Sequence, residues 1–176
     1  MDDVLAGVVD RCRAAVTGAD PQGEIAVILL EAAKNPAVAS AIVAREGLFT
    51  LEDLAIHRSD DLTVLAASIP PGFSAAPHNH NIWSVVSVCQ GQEDNRFFER
   101  DGDGLKVAGE VSVVAPGVLQ NAAEAIHSIG NPLETPLLAL HVYGGDLFAT
   151  PRSNWDPDTH KEIPFAWEKV SSASGS

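Results

Sequence analysis

Pro77-His78-Asn79-His80-Asn81-Ile82-Trp83 is the stretch on which the fold turns. His78 and His80 stand two residues apart. On a β-strand, positions i and i+2 point to the same face. Two imidazoles at that spacing can meet one metal ion from a single wall of a barrel. Neutral imidazole suits Fe, Ni, Cu and Zn. A third ligand has to come from a distant strand, and His127 is the best candidate. It falls in the short apolar run Ile126 to Ile129, with Asn131 four positions later. The bland alternative is three unrelated surface histidines, and a His-x-His pair alone does not decide between them. The surrounding glycines shift the weight: Gly72 precedes His78 by six residues and Gly91 follows His80 by eleven.

Outward from the histidines, short runs rich in Val, Ile, Leu and Phe alternate with turn residues. Leu62 to Ile69 reads as a strand broken by Pro70-Pro71-Gly72. Ile82 to Cys89 reads as a second, closed by Gly91. Asn95 to Arg100 is a third, backed by the turn Asp101-Gly102-Asp103-Gly104. Leu105 to Val107, Val111 to Val114, His127 to Ile129 and Leu137 to Tyr143 complete the set. Many short strands at even spacing favour a sandwich or barrel.

Before residue 48 the pattern is helical. Val4, Leu5, Val8, Val9, Cys12, Ala15 and Val16 form one stripe. Asp20 and Pro21 suit the cap and first turn of a second helix carrying Ile25, Ile28, Leu29 and Ala32. A third short helix is expected from about Pro36 to Glu46, stopped at Gly47. The expected division is a helical segment over 1–47 packed on the barrel, a barrel over 48–170, and a flexible Ser/Gly tail over 171–176.

A chain of 176 residues fits one domain. At that size folding buries roughly 70% of the surface the unfolded chain exposes. The formal net charge of −13 argues against nucleic acid and anionic membrane surfaces as partners. No run of about 18 apolar residues is present, so no spanning segment is expected. The acidic start Met1-Asp2-Asp3 is unlike a signal peptide. Two distant cysteines, Cys12 and Cys89, read as reduced thiols of a cytoplasmic protein.

Taken together, Gly72-x5-His78-x-His80, Gly91 and His127-x3-Asn131 resemble the two motifs of the cupin superfamily. That resemblance implies a double-stranded β-helix barrel with a metal inside. Many cupins add a glutamate ligand, which would fall at position 84, where this chain has Ser84. The departure points to a three-histidine site on His78, His80 and His127. Leu140-His141-Val142-Tyr143-Gly144-Gly145-Asp146 and the later Trp155-Asp156-Pro157 narrow the likeness to the thiol dioxygenases, the cysteine dioxygenase-like group. The likeness runs from about Leu48 to Trp167.

The family likeness implies a ferrous centre that oxidises a small thiol, cysteine or 3-mercaptopropionate, to a sulfinate with O2. Ni, Zn or another divalent metal remains open for the protein as isolated. A metal-bound thiol is deprotonated outright, and one ion that gathers thiol and O2 makes their encounter intramolecular. Tyr143 would hydrogen-bond substrate or oxygen and His141 would orient its hydroxyl. The usual serine two residues before the histidine is Ala139 here. No tyrosine–cysteine crosslink is expected, because Ser84 and Val85 stand where the cysteine would be.

Substrate anchoring is read less directly. The family's carboxylate-binding arginine lies on a strand before the first ligands, and Leu54 or Ala55 falls near that place. Arg58 is the nearest candidate anchor, set against a solvated charge on the Arg58-Ser59-Asp60-Asp61 turn. Arg96 and Arg152 are others. Trp83 either lines the substrate pocket or lies in the core. Asn131 is expected to pin a loop, and His57 and His160 to lie on the surface. The rival readings are another metal-dependent cupin enzyme acting on a small acid, and a cupin that only binds a small molecule. The oligomeric state stays open between monomer and homodimer.

Overall fold

The computed structural model describes residues 2–45, 47, 50–156, 159 and 161–165. Four helices precede the strands: α1 Asp3–Ala15, α2 Pro21–Ala33, α3 Pro36–Val43 and α4 Leu51–Leu54. The sequence places caps at each. Asp2, Asp20 and Asn35 accept backbone N–H bonds at the starts of α1, α2 and α3, and proline opens α2 and α3. The third helix ends at Val43 rather than near Glu46, which lies outside the described residues. So do Pro157, His160, Trp167 and the 171–176 tail.

Eleven strands follow among the described residues: β1 Ala55–Arg58, β2 Thr63–Ile69, β3 His78–Asn79, β4 Ser84–Gln90, β5 Gln92–Asp101, β6 Gly104–Val114, β7 Gly117–Asn121, β8 Ile126–Gly130, β9 Leu137–Tyr143, β10 Ser153–Trp155 and β11 Glu162–Pro164. They form two antiparallel sheets, one ordered β1-β2-β9-β4-β7 and the other β11-β10-β3-β8-β5-β6. From β2 to β5, and again from β6 to β10, the chain steps from one sheet to the other at every strand. That alternation is the winding of a double-stranded β-helix, the mainly β barrel that the family resemblance implied. Leu105–Val107 and Val111–Val114 belong to one strand, β6, bulged against β5 at Phe97/Phe98.

The central strands of the five-stranded sheet, β2, β9 and most of β4, are buried on both faces. On β9, Leu138, Leu140 and Val142 join Val64, Ala66 and Val85 against Leu5, Ile25, Leu29 and Ile42 of the helices. The alternate residues Leu137 and Ala139 line the barrel with Ala67, Ile69 and Val88. His141 and Tyr143 continue that inner face by strand periodicity. The helices therefore roof the outer face of this sheet. No single helix among the described residues is long and apolar enough to cross a membrane. The pair α2 and α3 meets that test only together and is bent by 84°, with Ile25, Leu29, Val38 and Ile42 buried in the core and Val27 and Val43 exposed.

Candidate metal centre

Strand β3 pairs with β8 so that His78 and His127 face one another directly across the ladder. His80 follows one residue beyond the end of β3. The three imidazole centroids form a near-equilateral triangle, at 5.0 Å for His78–His80, 4.8 Å for His78–His127 and 5.0 Å for His80–His127. One ligand nitrogen from each lies within 4.8 Å of the others. On the far side of His127, Phe97 stacks on its ring at 5.9 Å and 19°. The three histidines named from the sequence do cluster, although β3 is only two residues long and His80 lies past it, so strand periodicity alone does not account for its position.

The outer nitrogens are occupied in a way that leaves the inner ones free. Nδ1 of His78 lies 2.9 Å from the Ala76 carbonyl, and Nδ1 of His127 lies 3.0 Å from Oδ1 of Asn95. A carbonyl oxygen can only accept, so each Nδ1 carries the proton and each Nε2 keeps its lone pair. Nε2 of His127 is buried without a hydrogen-bond partner. Burial, opposed by the Ala76 hydrogen bond, moves His78 down to about 4. Burial, reinforced by neighbouring imidazoles, holds His80 and His127 well below the usual histidine range. Three neutral rings with converging lone pairs fit a divalent transition metal.

Tyr143 closes the other side. Its ring meets that of His80 at 4.9 Å and 77°. Burial pushes the phenol up, so it stays protonated and can donate. Ser84 sits directly opposite Tyr143 across β4 and β9 and accepts a hydrogen bond from Asn121 at 3.2 Å.

A buried polar chain behind the histidines was not anticipated. Asn95 donates to Oε1 of Glu93 at 2.9 Å, and Glu93 is fully buried. Its other oxygen, Oε2, stands 3.3 Å from Nε2 of His141 on the opposite sheet, close but misaligned for a hydrogen bond. The signal was in strand parity: Glu93, Asn95 and Phe97 share one face of β5, and Phe97 is the residue that stacks on His127.

The substrate-binding candidates separate. Arg58 is corrected: its guanidinium makes a bidentate contact with Asp146 at 2.9–3.0 Å and lies over Phe148, half-exposed. It does not join the histidines. Of the two expectations for Trp83 the core one holds: it packs on the helix-covered outer face rather than inside the barrel, which corrects its assignment as a substrate-binding residue. Adding a Cβ to Gly144 would place that atom inside the Trp83 indole, so glycine is required there. Arg96 is exposed and paired with Glu110 at 2.6 Å. Arg152 is the arginine near the site: its charge acts on His78, His80 and Tyr143, and its guanidinium stacks on Phe165 at 3.6 Å. Burial lowers Arg152 itself to about 10. A cleft of about 430 Å³ opens beside it, reaching Asn81 and Glu162. A larger cleft, about 710 Å³, lies between the α2–α3 corner and Cys89, and none of its lining residues belongs to the histidine cluster.

No protein-family profile matches the chain. Among solved structures it is similar to a Bacillus halodurans protein, BH2720, at 17% identity over 60% of this chain and 77% of that one, with a TM-score of 0.49. A cupin superfamily protein from Desulfitobacterium hafniense is similar at 20% identity over 52% and 74%, with a TM-score of 0.43. The DMSP lyase DddQ from Ruegeria pomeroyi is similar at 17% identity over 53% and 43%, with a TM-score of 0.42. The chain thus spans less than half of the lyase's length. None of the three is described as a thiol dioxygenase.

Proposed function

We propose that the protein is a non-haem iron thiol dioxygenase that oxidises a small acidic thiol, such as cysteine or 3-mercaptopropionate, to its sulfinate. The observation that carries the reading is Tyr143 seated against His80 of a three-imidazole cluster with no carboxylate among the ligands. The overall change is RSH + O2 → RSO2H: both oxygen atoms enter the product, the sulfur is oxidised and O2 is reduced by four electrons.

His78, His80 and His127 would hold the metal. When bound, a ferrous ion supplies the site where thiol and dioxygen meet and the redox capacity for their reaction. The protein's own part is orientation and exclusion of water. Hydrogen bonds at Nδ1 aim two of the imidazoles inward. The protonated Tyr143 hydroxyl is a donor for substrate or oxygen. Arg152 provides the positive charge for the substrate carboxylate, in the role first considered for Arg58. Three neutral ligands leave the metal's charge uncompensated, which favours an anionic substrate.

The test is oxygen uptake by protein reconstituted anaerobically with ferrous iron, against cysteine, 3-mercaptopropionate, cysteamine and a blank without thiol. Uptake that needs both iron and thiol supports the reading. Absence of uptake with iron verified on the protein overturns it for these thiols and moves the choice to another cupin reaction on a small acid, or to a binding protein.

A further inference from the structure

We infer that Glu93 is a positioning residue of the metal centre, acting on His127 through Asn95 and on the Tyr143 side of the barrel through His141. The inference rests on the three-histidine metal reading above, but not on any particular reaction.

Glu93 is the one carboxyl group fully buried among the described residues. Burying such a group is costly unless it is hydrogen-bonded, and the cost persists only where something is gained. Its Oε1 accepts from Asn95 Nδ2 at 2.9 Å, and Asn95 Oδ1 accepts from His127 Nδ1 at 3.0 Å. Metal-binding histidines commonly give their second N–H to a carboxylate or carbonyl, which fixes the tautomer and strengthens the ligand. Here an amide is inserted between carboxylate and imidazole. Hydrogen bonds in such a row polarise one another. A carboxylate drawing on the amide N–H makes the amide oxygen a stronger acceptor, and His127 Nε2 a stronger donor to metal.

The second oxygen faces His141 Nε2 at 3.3 Å across the interior. Glu93 sits on β5 of one sheet and His141 on β9 of the other, so one carboxyl group spans the barrel between the ligand side and the tyrosine side. Glu93 is fully buried and reaches the cluster through Asn95 rather than by touching a histidine of the cluster itself. It acts from outside the ligand set.

Co2+ is the probe, read by its visible absorption band and by affinity. Wild-type protein is compared with Glu93→Gln, Glu93→Asp, Asn95→Ala and the double variant Glu93→Gln/Asn95→Ala. Glutamine keeps the acceptor for Asn95 and removes the charge. The expected result is a 10- to 100-fold loss of Co2+ affinity in Glu93→Gln with a shifted band, partial rescue in Glu93→Asp, and a double variant no weaker than Asn95→Ala alone. Unchanged affinity and an unchanged band in a folded Glu93→Gln overturn the inference. If that variant does not fold, Asn95→Ala decides, and wild-type affinity there overturns it. Failure of the wild type to bind Co2+ at all instead overturns the metal centre itself.

Discussion

The buried side-chain oxygen of Asn79 accepts a hydrogen bond from the backbone N–H of Ser153 at 2.8 Å. Two residues later, Asn81 donates to the Pro151 carbonyl at 2.8 Å. The asparagines that alternate with His78 and His80 therefore grip the chain on both sides of Arg152. In His78-Asn79-His80-Asn81 one pair of residues converges on the centre and the other fixes the arginine beside it.

Arg152 should accordingly discriminate substrates by their carboxylate. Arg152→Gln is expected to raise KM for 3-mercaptopropionate and cysteine by roughly 10- to 100-fold, the loss of one charged hydrogen-bonding partner. Cysteamine, which has no carboxylate, should be turned over as before. Steady-state oxygen uptake with the three thiols checks this, and an equal effect on all of them would exclude Arg152 as the anchor.

Tyr143→Phe removes the donor while leaving the three imidazoles in place. Iron content should stay at the wild-type level and kcat/KM should fall on the order of 10²-fold or more. Metal analysis and oxygen uptake on the same preparation separate the two effects. Loss of iron in this variant would show that Tyr143 supports the ligand set rather than the reaction.

Acid should destabilise the metal-free protein in a defined window. His78 is held at about 4 when folded, against 6.5 for the free side chain. Between those values the unfolded chain binds the proton first, so stability is full above about 6.5 and falls as pH drops toward 4. His80 and His127 move in the same direction. Thermal melts of the metal-free protein should show a Tm steady above pH ~7 and declining below it. A Tm unchanged down to pH ~4.5 would contradict neutral, buried imidazoles.

Gly144→Ala tests the outer face. The added methyl would collide with the Trp83 indole, at an expected cost of about 1–3 kcal/mol. Trp83→Phe should recover part of that in the double variant. Urea melts of the four proteins give the coupling, and a neutral Gly144→Ala would mean the indole relocates freely.

The histidine cluster was readable because its signal is local: two histidines at strand spacing and a third in a short run with a nearby asparagine. Strand β9 was placed to its ends, since a run from Leu137 that is apolar but for His141 and the Tyr143 hydroxyl, bounded by Pro136 and Gly144, leaves little choice. Other parts escaped for physical reasons. Gln92-Glu93-Asp94 fell outside the strand expected from Asn95, although β5 begins at Gln92, and nothing next to Glu93 reveals that His141, from the opposite sheet, will meet it. The two- and three-residue strands β3, β10 and β11 exist through pairing with distant partners, which local propensity does not register. Arg58 looked available because Asp146, which holds it, is 88 residues away.

Strand β9 has no residue in solvent: all seven positions from Leu137 to Tyr143 are buried. It is a party wall, with helices on one side and the histidine chamber on the other. A protein built this way cannot trade one compartment against the other. Drift in the helical roof is felt as misplacement of His141 and Tyr143, and enlarging the chamber strains the roof. Specificity in such a barrel is therefore free to change at the rim, around Arg152 and its cleft, where a new side chain meets water rather than a second core.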